Sequence, residues 1–433
     1  MIKAVSSLVA WCAPVRYQPR IFFGRFDILF ALLLGLLAAA ISFHGFGQFD
    51  PAIYEPQNLN RWFDADQSFI LVVITDPVST GDSSQIARHP LFILLTSPLV
   101  RALTTLGVDP LAGVRWIIAG CAFLATTFLF SALRGLGLPR AAAALFTGVF
   151  LASATFLHWF SILETYAFSA VSISFMLMIL TSAGESRWWA WIIASVATLS
   201  VTITNWTLAL ASVLFRLDIR KAIVLSIAAL IIGALLAMAQ RLCYPGTPMF
   251  FNPGHLKQQV RVILTDARRK ETGTRTPGLN VWSAVITSAV APTPEVRPQY
   301  LDRKALRLIV NNQYSPLSSH TMSGWIAFAS WLVLLAGGAL GGWANGERHA
   351  VFAAVSVFLL GQFAFHAVFG EVTFLFSANF FPALVLFTAF SWFSPLRIPA
   401  IVAAFAFVVA GGASNYTQFE AATRLANAIL VRQ

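Results

Sequence analysis

Two aspartates separated by one alanine, Asp64 and Asp66, follow Trp62-Phe63 and precede an apolar, partly β-branched stretch from Phe69 to Thr75. Carboxylates at this spacing, in a loop beside a membrane, can hold a hard divalent cation such as Mg2+ or Mn2+ through oxygen ligands. Alternatively, one can take a proton from a substrate hydroxyl while the other orients that hydroxyl. A solvated turn is the competing structural account. Six of the chain's 18 acids, Asp50, Glu55, Asp64, Asp66, Asp76 and Asp82, fall between residues 46 and 90, against only Arg61 and Arg88. Chemistry is expected in this segment.

Other candidates are spread along the chain. His89-Pro90 closes the acidic segment; a histidine there can titrate near neutrality or bind a phosphate oxygen, while the proline fixes the entry turn. Glu164-Thr165-Tyr166 sits at the join of two apolar runs, and Glu371 repeats that situation ahead of Ser377 and Asn379. Carboxylates beside membrane spans are costly and are by default functional hypotheses, although a glutamate at a helix N-terminus also complements the helix dipole. Asn205 lies with Thr202 and Thr204 in the middle of an uncharged run. The densest basic run is Arg268-Arg269-Lys270. Either it is a solvated loop or it clamps a phosphate leaving group, for which arginine's forked donors are suited.

The elements that must position these residues are membrane helices. Charged residues make up 11% of the 433, hydrophobic residues 58%, and mean hydropathy is +0.73, far from the roughly one quarter charged of a soluble domain. A bilayer core of about 30 Å needs roughly 20 apolar residues per helix, and such runs recur along nearly the whole chain. The fold class is therefore an all-α polytopic membrane protein, a single transmembrane domain over 1–433 with about eleven spans. These lie near 28–44, 111–131, 141–158, 165–183, 188–204, 205–215, 221–240, 322–343, 350–368, 373–393 and 399–413.

Residues 91–107 are also apolar, but Pro98 and Arg101 interrupt them, so they are expected to lie at the interface or re-enter. The run 188–215 is expected to be two helices turning at Thr204-Asn205. A first loop over 46–107 with short interfacial helices, and a second over 241–321 made of short helices and turns, complete the layout. The positive-inside tendency puts the basic connectors 133–140, 216–221, 346–349 and 394–398 in the cytoplasm, with the acidic loop, Glu164, Asn205 and Glu371 on the opposite side.

Net charge is +11. In this context it suits anionic head groups or a phosphate-bearing lipid rather than nucleic acid. Cys12, Cys121 and Cys243 have no pair spacing, so neither a disulfide framework nor a zinc site is suggested. The signatures of P-loop, dinucleotide-binding, zinc-protease and serine-esterase chemistry are missing.

Taken in order, the modified DxD of Asp64 and Asp66, the GDSSQIARHPLF run, ETY after the third span, TITNWT at a helical turn and the late GEVTFLFSANFFP segment resemble the GT-C superfamily of polytopic membrane glycosyltransferases. Within it the resemblance is to dolichyl-phosphate-mannose mannosyltransferase-like enzymes. The likeness covers most of the first 220 residues and, weakly, the end; His89 is followed by one proline instead of two. It implies a multi-pass enzyme of a bacterial inner membrane, with its site on the extracytoplasmic face. The enzyme would transfer a sugar from a polyprenyl-phosphate donor to a lipid, glycan or protein acceptor, with inversion. Asp66 or Asp64 would be the base, and Arg268, Arg269 and Lys270 would hold the phosphate. His89, Glu164, Tyr166, Asn205 and Glu371 would line the substrate, and no cofactor beyond an optional divalent cation is required. The rival from another class is a secondary transporter or lipid flippase that uses Glu164 and Glu371 as ion or proton sites.

Overall fold

A computed structural model describes residues 24–78, 86–182, 187–247, 277–302, 305–370 and 372–431, with scattered positions between 254 and 264. The helices in chain order are α1 (Arg25–Phe46), α2 (Gln67–Thr75), α3 (Phe92–Thr105), α4 (Pro110–Leu136), α5 (Arg140–Leu151), α6 (Ala154–Trp159), α7 (Thr165–Ser182), α8 (Trp188–Val201), α9 (Trp206–Arg216) and α10 (Ile219–Cys243). After α11 (Pro277–Trp282) comes an antiparallel hairpin of β1 (Glu295–Asp302) and β2 (Ala305–Asn311). The chain ends with α12 (Met322–Ala344), α13 (His349–Val368), α14 (Phe381–Ala389), α15 (Arg397–Ala406) and α16 (Gly412–Val431).

Seven of the described helical stretches are long and apolar enough to cross a membrane, and an eighth is gained if the bent pair Thr373–Asn379 and Phe381–Phe393 counts as one span. The protein is a helical, multi-pass membrane protein. α4 packs along both α1 and α7, and α7 is the most enclosed of the long helices. α1 and α10 turn Leu33, Leu36, Ile223 and Val224 outward, as lipid-facing helices do. On α12, a Cβ at Gly338 or Gly341 would collide with the carbonyls of Phe387 and Phe390. Those glycines let α12 and the α14 segment approach backbone to backbone.

The uncharged run 188–215 is broken where its polar residues cluster. Thr202 is extended (φ −152°, ψ 126°) between α8 and a 3-10 turn over Ile203–Asn205. The Pro98-containing stretch forms the 14-residue α3, about 21 Å long at 1.5 Å per residue. The second loop contains a strand pair where short helices and turns were expected. Val296 pairs with Val310, and β2 also meets Trp62 of the first loop.

The helices carry the polar features to two opposite ends of the bundle. At one end Glu164 and Asp66 meet at the start of α7, and the end of α8 takes bonds from His89 and Leu91. Gln240, near the end of α10, binds the backbone of Pro90 and Leu94 there. At the other end Thr181 packs on Gly135, Arg134 and Arg140 close on Asp27, and Arg348 reaches the Leu136 carbonyl at 2.8 Å. The acidic loop and the basic connectors are thus separated by the length of the long helices.

Candidate functional site

The loop that carries the two aspartates is held in a strained shape. Asn60, Phe63 and Asp64 all have positive φ (67°, 46° and 66°). Asparagine and aspartate tolerate that region, whereas phenylalanine does not, and each such residue costs on the order of 1–3 kcal/mol unless its surroundings impose it. Here they do. Phe63 N–H donates to the Val310 carbonyl at 3.0 Å and Val310 N–H to the Arg61 carbonyl at 2.9 Å. Arg61 Nη1 donates to Leu308 O at 3.0 Å, and Arg307 Nη1 donates to Leu59 O at 2.5 Å. Trp62 and Phe63, both with no exposed surface, pack on His158 of α6, with Phe374 against Phe63 and Phe419 of α16 against Trp62. Burial of two large aromatics offsets the backbone strain. It also fixes the direction in which the next residues project.

The carboxylates meet at the start of α7. Glu164, 2% exposed, accepts the Asp66 backbone N–H on Oε1 at 2.5 Å and the Thr165 N–H on Oε2 at 2.9 Å. It therefore ties the DxD loop to the helix it starts. Asn60 Nδ2 donates to Asp64 Oδ1 at 2.8 Å. Burial first, and the Asp64 charge second, push Asp66 up to about 6, with Arg88 pulling the other way. Burial and then the Asp66 charge push Glu164 up to about 8, against the pull of its two amide bonds. Burial and their mutual charge thus hold both carboxyls above the ordinary carboxylate range. Tyr166, buried two residues later, lies within electrostatic reach of all three carboxylates and of Arg88.

Arg88 is the described cation that faces this group. Its Nε is buried with no hydrogen-bond partner among the described residues, and its guanidinium carbon lies 6.0 Å from the Phe369 ring centre. The neighbouring basic residues are engaged elsewhere. Arg61 and Arg307 hold backbone carbonyls, and Arg297 pairs with Glu295 at 2.6 Å and covers Tyr314.

His89 forms a joint to α8. Its Nδ1 lies 2.5 Å from the Val201 carbonyl and donates to it, and Thr202 Oγ1 stands 3.4 Å from Nδ1 and 3.2 Å from Ser169 Oγ. Burial holds this imidazole neutral, down at about 4. Asn205 is fully buried at the start of α9, and neither its Oδ1 nor its Nδ2 has a hydrogen-bond partner among the described residues. Gln362 of α13 reaches the adjacent Thr204 carbonyl at 3.2 Å.

The structure therefore brings Asp64, Asp66, Glu164 and Tyr166 together, sets His89 on the flanking wall beside Arg88, and places Asn205 at the α8–α9 break. Arg268, Arg269, Lys270 and Glu371 lie outside the described residues. Glu371's neighbours are nevertheless fixed. Asn280 Nδ2 donates to the His366 and Gly370 carbonyls at 3.0 and 3.1 Å. Gln313 Oε1 accepts from Thr373 N and Oγ1 at 2.6 and 3.0 Å, and Gln313 Nε2 donates to Asn280 Oδ1 at 3.1 Å. Neither Asn280 nor Gln313 stands out in the sequence, since amides are ordinary in a polar loop. Arg88 carried a signal, as one of two cations within the acidic segment.

No group of three or more His, Cys, Asp or Glu side chains is gathered for a metal ion among the described residues. With both Glu164 oxygens engaged, a divalent cation would find protein ligands in Asp64 and Asp66. Two carboxylates suit Mg2+ or Mn2+ completed by water and outside oxygen ligands more than an all-protein cage.

No protein-family model, no curated protein and no solved structure matches the chain.

The charge arrangement fixes the sign of two substitutions. Asp64→Asn removes a negative neighbour of Asp66, so the acidic limb of a pH–activity profile moves to lower pH. Arg88→Gln removes the opposing positive charge, so the limb moves up. Profiles measured for both variants and the parent check this; shifts in the same direction would show that a different group governs the limb.

Proposed function

We propose that the protein is a GT-C-type glycosyltransferase that moves a sugar from a polyprenyl-phosphate donor to a lipid, glycan or protein hydroxyl on the extracytoplasmic face of a bacterial inner membrane. The observation that carries this reading is Asp66, held by a strained, aromatic-locked loop against Glu164 and beside Asp64, with Arg88 within electrostatic reach. Asp66 accepts the acceptor's proton while that oxygen attacks the anomeric carbon and the phosphate departs from the opposite face, which inverts the configuration. Arg88, with Arg268, Arg269 and Lys270 of the second loop, stabilises the charge on the leaving phosphate. Asp64 orients the acceptor, and Tyr166, His89, Asn205 and Glu371 line the substrate. Phosphate is already a good leaving group, so no cofactor is required. A Mg2+ or Mn2+ held by Asp64 and Asp66 would supply further positive charge at the phosphate. Nucleic acid has no part in this account.

In this reading the seven long helices, the bent pair and the shorter α5, α8 and α9 serve as eleven spans, with α3 at the interface. The basic end of the bundle faces the cytoplasm. At Glu164 the transporter alternative draws less support, because both of its oxygens accept backbone N–H groups of its own scaffold, Asp66 N and Thr165 N.

The test is purified protein in liposomes, offered a panel of polyprenyl-phosphate sugars with a membrane extract as acceptor. Transfer from one of the donors supports the reading. Transbilayer movement of unreacted lipid, with no transfer, identifies a flippase.

A further inference from the structure

At the basic end of the bundle, remote from the carboxylates, a groove of about 820 Å³ runs between the first turns of α8 and α10. Its walls are apolar, formed by Trp188 and Ile192 on α8 and by Val224 and Ala228 on α10, and Arg220 and Lys221 stand at its mouth. Gln240 of α10 meets the DxD end of the bundle through Pro90. Residue 220 is 20 residues earlier on the same helix, so the mouth lies about 30 Å away along the axis, the thickness of a bilayer core. Trp188 and Trp189 are 60% and 55% exposed, the placement of an aromatic interface belt. Over residues 185–221 of the sequence Arg187, Arg216, Arg220 and Lys221 outnumber Glu185 and Asp218. Glu185 lies outside the described residues, and Asp218 pairs with Lys221 at 3.1 Å.

We propose that this groove is a binding site for an anionic phospholipid of the leaflet opposite the carboxylate site, its acyl chain lying along Val224 and Ala228 and its phosphate at Arg220 and Lys221. The occupant follows from charge and shape together. A groove between membrane helices must be filled by lipid chains, because water there would face apolar walls. The cations at its mouth then select the chain whose head group is anionic, as basic pockets between transmembrane helices do. Zwitterionic lipid fills the walls equally well but gains nothing net at the mouth. The site is independent of the sugar-transfer reading and holds whichever reaction the far end performs.

The full-length protein is reconstituted with equal phosphatidylglycerol and phosphatidylcholine, and the lipid it retains on extraction is counted by native mass spectrometry. Wild type is expected to keep phosphatidylglycerol preferentially. Arg220→Gln with Lys221→Gln should lower that preference at least about fivefold, while Ala228→Trp, which fills the groove and leaves the charges, should lower retention of the lipid itself. Only variants that elute as wild type in gel filtration are compared, and Val224→Phe replaces Ala228→Trp if that variant does not. Equal retention of the two lipids by wild type, or an unchanged preference after the charges are removed, overturns the proposal.

Discussion

Asp66→Asn is expected to lower turnover at least about a hundredfold, the range for losing a general base, without unfolding the loop. The amide keeps the size of the carboxylate, and the Asp66 contact to Glu164 is made by the backbone N–H, which the substitution leaves in place. The defect should therefore fall on kcat, with little change in donor affinity. In wild type, activity should rise with pH through about 6 as Asp66 ionises, and that limb should vanish from any residual activity of the variant. Near-normal turnover would remove Asp66 from the chemistry and leave the strained loop with a structural role only.

The largest stability effect is expected at the opposite end. Asp27, 1% exposed, accepts from Arg134 Nε at 2.8 Å, Arg140 Nε at 2.9 Å and Gly24 N at 3.0 Å. Arg134 is itself buried and is also bonded to the Leu138 carbonyl, while Arg140 is about half exposed. Asp27→Asn keeps the shape and removes the charge, leaving a buried guanidinium without its counter-ion. Breaking a buried pair in this way costs about 3–5 kcal/mol, whereas an exposed pair contributes about 0–1 kcal/mol. Unfolding of the purified protein in detergent should show the larger figure, with Arg140→Gln well below it. Equal, small losses for both would mean that water reaches the cluster.

Much of the helical architecture was legible in the sequence because apolar runs near 20 residues have one solution in a bilayer. The break at Thr202–Asn205 was legible for the same reason, since three polar side chains would otherwise face lipid. The hairpin over 295–311 was not. Its alternation is interrupted by Pro298 and by charges, and its reason for pairing lies in a partner, Trp62, more than 200 residues away.

At the site, the chemical types were readable and their support was not. Asp64 and Asp66 announce themselves by spacing, but nothing in Phe63 signals a left-handed backbone. The cage of Trp62, His158, Trp159 and Phe374, with the backbone bonds to Val310, makes that conformation tolerable. The bond from Asp66 to Glu164 joins residues 98 apart, a proximity that periodicity cannot supply and that the family resemblance only suggested. Asn280 and Gln313 passed unnoticed because a buried amide network and a solvated polar loop have the same composition.

The measurement that bears most directly on sugar transfer at Asp66 is a single-turnover experiment. Purified protein is mixed with a polyprenyl-phosphate sugar and acceptor extract, and donor, released polyprenyl phosphate and glycosylated product are quantified by mass spectrometry. The account predicts loss of donor matched one for one by polyprenyl phosphate and by product in wild type, and the same conversion at least about a hundredfold slower in Asp66→Asn. Donor left intact by wild type across the full panel of sugars, or equal conversion by Asp66→Asn, would contradict it.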